Sequence, residues 1–281
     1  MVENPGMSRS QYLPDIDRVS VLAGMITLAY ILTRFINVPV RELALQLPGV
    51  YLAVQINVNT LVGVLVAGLT AAGANWIYHD HPDLKSRGDG VHRPFPYLIL
   101  PSLTALLIGF PLNQLPFGVN WWLGMAGGVL VLVLVLIGEF ISIGSEDVRQ
   151  PLAAAGLTAV SFALYLVLAT SLRTGGTRLF LALPGLTLGA WMVSLRVLHL
   201  RLHGQWLVYE SAMIAFIVSQ FVAAFYYWPV TPVAFGVLVL GPSYALTSLF
   251  IGLIEEKPLR QALSEPAVAI LVAIGVAIWA S

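Results

Sequence analysis

With 281 residues, of which 58% are apolar and 10% charged, and a mean hydropathy of +0.85, the chain departs from a soluble globular domain, where about 25% of residues carry charge. Its 14 Lys and Arg balance 14 Asp and Glu and are scattered along the sequence, which excludes the concentrated basic surface that a nucleic-acid partner requires. The absence of Cys excludes structural disulfides, thiolate metal sites and a Cys nucleophile.

At roughly 20 residues per crossing, the length fits an all-α, polytopic transmembrane helix bundle of about nine spans, with eight as the alternative. Residues 1–18, with Asp15, Asp17 and Arg18, read as a polar, cytoplasmic N-terminal segment without the pattern of a cleaved signal. Residues 19–281 then form a single transmembrane helical domain. Apolar runs between Pro, Gly and charged punctuation place spans at 19–38, 58–78, 97–115, 119–143, 152–172, 179–198, 206–228, 232–254 and 267–280. The last would rise only about 21 Å at about 1.5 Å per residue, short of a hydrocarbon core about 30 Å thick. Between the first two spans, Arg41, Glu42, Gln46 and Gln55, with the Pro48-Gly49 break, suggest a short helix along the outer interface. The alternative is a second span that begins near Val50 and tilts.

Small residues at helical spacing mark close-packed helix faces: Gly63, Ala67 and Ala71, then Gly124 and Gly128, Gly185 and Gly189, and Ala269, Ala273 and Ala277. Pro101, Pro111, Pro184 and Pro242 are expected to kink or interrupt their spans. Orientation follows from alternate loops. With the N-terminus inside, the cytoplasmic side holds Arg9, Arg18, Lys85, Arg87, Arg93, Arg149, Arg196, Arg201, Lys257 and Arg260, against Arg34, Arg41, Arg173 and Arg178 outside. Trp121, Trp122 and the run from Phe225 to Trp228 then mark the outer interface.

This orientation gathers all five histidines on the cytoplasmic side: His79, His81 and His92 between spans two and three, His199 and His203 between spans six and seven. Asp80, Asp83, Glu139 and Glu210 lie near the same face. His79, Asp80, Asp83, Glu139 and Glu210 are the catalytic candidates, because an ionisable group within or beside a span is costly and normally faces the bundle interior. Pro82 ends the second helix, so His79 and His81 read as loop-borne. Asn75 and His79 continue the line of Gly63, Ala67 and Ala71, which directs them toward neighbouring helices. His199 and His203, at i and i+4, share a helix face, a spacing used by helical zinc sites. With His79 and His81 they are the metal candidates. The alternative is a headgroup-level polar collar with Arg196 and Arg201. No cofactor is specified.

Nine spans with polar loops between spans two and three and between six and seven resemble the intramembrane prenyltransferase superfamily. Asn75, Asp80, Asp83, Arg87 and Arg93-Pro94 are similar to its first motif, and the resemblance implies Mg²⁺ holding an isoprenyl diphosphate. The second loop, His199 to Trp206, carries no Asp, so the likeness is topological and the family is not assigned. There is no P-loop, G-x-S-x-G elbow or H-E-x-x-H, and no obvious repeat between the halves.

The reading is a multi-pass integral protein of the cell membrane, leaning toward a membrane-embedded enzyme or lipid-handling protein with a cytoplasmic-face polar site. A transporter of a small neutral or lipidic solute and a non-catalytic membrane subunit or scaffold are the alternatives. Midplane polar groups are hydroxyls and amides such as Thr104, Thr158, Ser161, Thr187 and Gln220, which disfavours a charged solute. The expected partners are the lipid bilayer and a lipid or small apolar ligand.

Overall fold

The computed structural model describes residues 13–35, 41–47, 50–56, 58–79, 81, 95–144, 148–202 and 204–280. Among them are nine helices long and apolar enough to cross a membrane: α1 (Ile16–Phe35), α2 (Val58–Tyr78), α3 (Phe95–Gln114), α4 (Val119–Ile143), α5 (Gln150–Thr174), α6 (Leu179–Arg201), α7 (Val208–Phe225), α8 (Pro232–Ile254) and α9 (Leu259–Trp279). Helices are the expected form for these runs, because in hydrocarbon every backbone N–H and C=O must be satisfied within the segment. The intramembrane hydroxyls obey the same requirement: Thr104, Thr158, Ser161 and Thr187 each donate to the carbonyl four residues back in their own helix.

Two expectations about elements are corrected. The segment after α1 is neither an interfacial helix nor the start of α2. It is an antiparallel hairpin of β1 (Arg41–Leu47) and β2 (Val50–Ile56), in register from Arg41↔Ile56 to Leu47↔Val50. The physical reason lies in the period: Leu43, Leu45 and Leu47 alternate with Ala44 and Gln46, and Val50, Leu52, Val54 and Ile56 alternate with Tyr51, Ala53 and Gln55, the period-2 pattern of a strand. The last helix starts at Leu259, so α9 has 21 residues and spans the core at about 1.5 Å per residue. Pro266 lies inside it, as Pro101, Pro111, Pro184 and Pro242 lie inside unbroken α3, α6 and α8.

The chain divides into two compact units, Met1–Gly144 and Ser145–Ser281. In the first, α1 packs on α2, α2 on α3, α3 on α4, and α4 returns to α1. Lipid tails are as apolar as Leu, so close packing and not water exclusion must hold such helices together. Gly73 shows the device: a Cβ there would lie 2.5 Å from a Leu22 methyl. Arg34, in the last turn of α1, donates to Leu112 O (2.8 Å) and Leu115 O (2.7 Å) at the end of α3, and its guanidinium lies 5.7 Å from the Trp121 ring centre. Trp121 is thereby buried under a cation.

The second unit has the same neighbour pattern: α5 on α6, α6 on α7, α7 on α8, and α8 back on α5, with α9 added against α8. It also has the same clamp. Arg173, in the last turn of α5, donates to Tyr226 O and Trp228 O beyond the end of α7 and lies 5.6 Å from the Phe235 ring. Aligning Arg34 with Arg173 carries the buried Val19, Leu22, Ala23, Ile26 and Tyr30 onto Thr158, Ser161, Phe162, Tyr165 and Ala169, all of them buried. A repeated architecture is therefore present where the sequence halves show none. Lipid-facing positions accept any apolar side chain, so residue identity records little of the shared frame. In α8 and α9, Gly241 meets Ala273, where a Cβ would approach to 2.5 Å, and Thr231 Oγ1 ties the start of α8 to Ala280 O at 2.7 Å.

Candidate functional site

The sequence candidates separate between the units. In the first, His79 is exposed in the turn that ends α2, and its N–H donates to Asn75 O at 3.0 Å. Asn75 is exposed too, so the line from Gly63 does not stay on the packed face. The reason is geometric: four residues advance a helix by about 400°, so each i+4 step drifts about 40°. The packed face instead follows Gly63, Val66, Thr70, Ala74, Ile77 and Tyr78. His81 lies beyond the end of α2, as its loop-borne reading expects, but is buried. It is 2% exposed, and its ring meets the Phe140 ring edge-on at 4.7 Å. Glu139 is completely buried in α4, with Ser142 Oγ donating to its backbone O at 2.8 Å and lying 3.3 Å from Oε2. His81, Tyr78 and Phe140 thus form a buried aromatic cluster where α2 and α4 end.

In the second unit, His199 is buried in the last turn of α6 and its ring lies 5.6 Å from the Trp206 ring. Arg196, one turn earlier, is completely buried. Residues 193–199 are buried on every face of the helix, so these two side chains do not form the headgroup-level collar expected of them. Glu210 is half-buried in the first turn of α7, where a carboxylate is favoured by the positive end of the helix dipole. Asp80, Asp83 and His203, like His92, lie outside the described residues. Among the described residues no group of three His, Asp or Glu side chains is placed to hold a metal ion.

A cleft in the second unit contains chemistry that the sequence reading did not single out. It has a volume of about 130 Å³ and lies between α5 (Thr158, Phe162), α6 (Val197, Arg201), the second half of α8 (Tyr244, Thr247, Ser248, Ile251, Gly252) and α9 (Gln261, Ala262, Glu265), with Glu255 and Lys257 from the α8–α9 turn. Tyr244 Oη donates to Glu265 Oε1 at 2.6 Å, and its ring is held edge-on by Phe162 at 5.1 Å. Lys257 Nζ pairs with Glu255 Oε2 at 2.7 Å. Thr158 donates to its own helix, so toward the cleft its oxygen is an acceptor, whereas Thr247 donates to Ser243 O and its oxygen lies 3.3 Å from Ser194 Oγ.

The turn that brings Glu255 and Lys257 to the rim is strained. Glu256 has φ 54°, in the left-handed region that costs an L residue roughly 1–2 kcal/mol. The other left-handed positions among the described residues, Gly176 and Gly204, are glycines. Lys257 N donates to Gly252 O at 3.0 Å, which folds the turn back over the cleft. At Gly252 itself a Cβ would lie 3.1 Å from the Ala262 Cβ, so this close crossing of α8 and α9 sets the floor.

Comparison with known proteins finds one family model that spans residues 38–280, described as Protein of unknown function (DUF5656). The chain belongs to this family. No curated protein and no solved structure matches it. The DUF5656 region takes in the hairpin, α2 to α9 and every residue of the cleft, and begins after α1. A polar stripe was the available signal for the site: Tyr244, Thr247 and Ser248 stand at i, i+3 and i+4 of an otherwise apolar span, one face of a helix. Arg201, Glu265 and Thr158 come from other helices and share no sequence signal with it.

Proposed function

We propose that this DUF5656 protein handles a membrane lipid at the cleft between α5, α6, α8 and α9, on the cytoplasmic face of the cell membrane. The observation that carries the reading is a polar cleft at the ends of spans, with Arg201, Lys257, Glu255, Glu265 and Tyr244 on its rim. A span end is where a lipid presents its polar part. Side access fits as well: Leu259, Leu263, Val268, Leu271 and Ile274 of α9 are exposed, so acyl chains can lie along the helix that supplies Gln261 and Glu265. A space of about 130 Å³ takes a headgroup and leaves the chains outside, since one water occupies about 30 Å³.

The cytoplasmic assignment and the N-terminus inside rest on the excess of Lys and Arg in alternate loops. It is supported by the role of two of the four outer arginines, because Arg34 and Arg173 cap helix ends and so have a structural reason to be there. A photoactivatable phospholipid bearing its diazirine near the headgroup tests the reading. Adducts in nanodiscs should concentrate in residues 244–265. Adducts distributed evenly over all nine spans would overturn it.

A further inference from the structure

We infer that the ligand of this cleft is a zwitterion of the phosphoethanolamine class, with its phosphate on Arg201 and its ammonium on Glu265; the inference rests on the lipid-handling reading. The charges on the rim are of two kinds. Lys257 and Glu255 neutralise each other at 2.7 Å. Arg201 and Glu265 also line the cleft, but among the described residues Arg201 has no carboxylate within ion-pair distance, and Glu265 is bonded only by the neutral Tyr244. Arg201 and Glu265, neither of them in an ion pair among the described residues, therefore bring one cation and one anion to the same small space. A purely anionic headgroup would satisfy Arg201 and set its charge against Glu265. A neutral one would satisfy neither. A ligand with both charges a few ångströms apart satisfies both at once.

The hydrogen-bonding inventory agrees. A guanidinium presents a planar fork that matches two phosphate oxygens. A primary ammonium brings three donors, and the cleft is also lined by the Tyr244 oxygen and the hydroxyl oxygen of Thr158, whose protons are already given to other groups. A trimethylated ammonium has no donor for these oxygens, so the primary amine is selected over choline. The apolar floor of Phe162, Val197, Ile251 and Ala262 excludes a more extensively hydrated sugar headgroup.

The experiment is lipid retention and competition on full-length protein in detergent, read by native mass spectrometry with phosphatidylethanolamine, phosphatidylcholine, phosphatidylglycerol and diacylglycerol, and with soluble glycerophosphoethanolamine as competitor. Phosphatidylethanolamine should be retained at least about tenfold over the others, and Arg201→Gln and Glu265→Gln should each remove that preference. Both positions are exposed at the rim, and the wild-type lipid panel stands even if a variant fails to fold. Equal or stronger retention of phosphatidylglycerol or phosphatidylcholine would overturn the zwitterion and leave lipid handling intact. Displacement by glycerophosphoethanolamine at the same concentration as the lipid would keep the zwitterion and overturn its lipid source. No retention of any lipid, with no displacement, would overturn both.

Discussion

Arg34 and Arg173 explain how single side chains close each unit. The last carbonyls of a helix have no intrahelical donor, and in α3 and after α7 a guanidinium from another helix supplies it while resting on an aromatic face. Hydrogen bonds to a charged group contribute about 1.5–3 kcal/mol each, so Arg34→Ala should destabilise the detergent-solubilised protein by about 2–4 kcal/mol. Arg34→Lys should recover part of that, because an ammonium cannot reach two carbonyls as a planar fork does; thermal unfolding monitored by intrinsic tryptophan fluorescence measures both. Glu256 presents the opposite case. A left-handed residue outside glycine is retained against a cost of about 1–2 kcal/mol, so Glu256→Gly should raise the midpoint of thermal unfolding. If the strain serves to set the Glu255 and Lys257 rim, the same variant should weaken lipid retention while it stabilises the fold.

At the scale of elements, the tight α8–α9 pair and the hairpin make separate claims. A Cβ at Gly241 would overlap Ala273, whereas one at Gly68 meets nothing within 4 Å. Gly241→Val should therefore cost about 1–3 kcal/mol, the usual range for overpacking, and Gly68→Val should be close to neutral in the same melt. The hairpin register is checked by crosslinking in a chain that has no cysteine of its own. Ala44 and Ala53 are direct partners, and opposed residues in an antiparallel pair have Cα atoms about 4.5–5.5 Å apart, inside the range a disulfide bridges. Ala44→Cys with Ala53→Cys should close on mild oxidation, and Ala44→Cys with Leu52→Cys should not. Efficient closure of the second pair alone would show a slipped register, with the two faces of β2 exchanged.

For the whole molecule, the multi-pass architecture and the Lys and Arg bias make the orientation testable in intact cells. An impermeant thiol reagent should label Thr174→Cys, at the exposed end of α5, and spare Ser86→Cys, between α2 and α3. The reverse pattern would turn the cleft to the outside and remove the cytoplasmic reading with it. The two units add a constraint of their own. Because each closes a four-helix ring with an arginine clamp at the corresponding place, Arg173→Ala should destabilise the protein by an amount comparable to Arg34→Ala.

The sequence by itself determined that the chain is a multi-pass membrane protein, because burial in lipid imposes a long apolar run on every helix regardless of its neighbours. The same local logic held the hairpin in plain view as a period-2 alternation, obscured by Arg41, Glu42, Gln46 and Gln55, which suggested an interfacial helix. It also held the start of α9, hidden because Pro266 and Glu265 look like a span boundary while the preceding turns are already helical. What only the tertiary structure decided is which polar groups meet. Arg201, Tyr244 and Glu265 come from three helices, and no spacing along one chain records a distance between two. Nor could periodicity foresee that His81 and Arg196 are buried while Asn75 is exposed, since at span ends the exposure of a helix face depends on which neighbours reach that far.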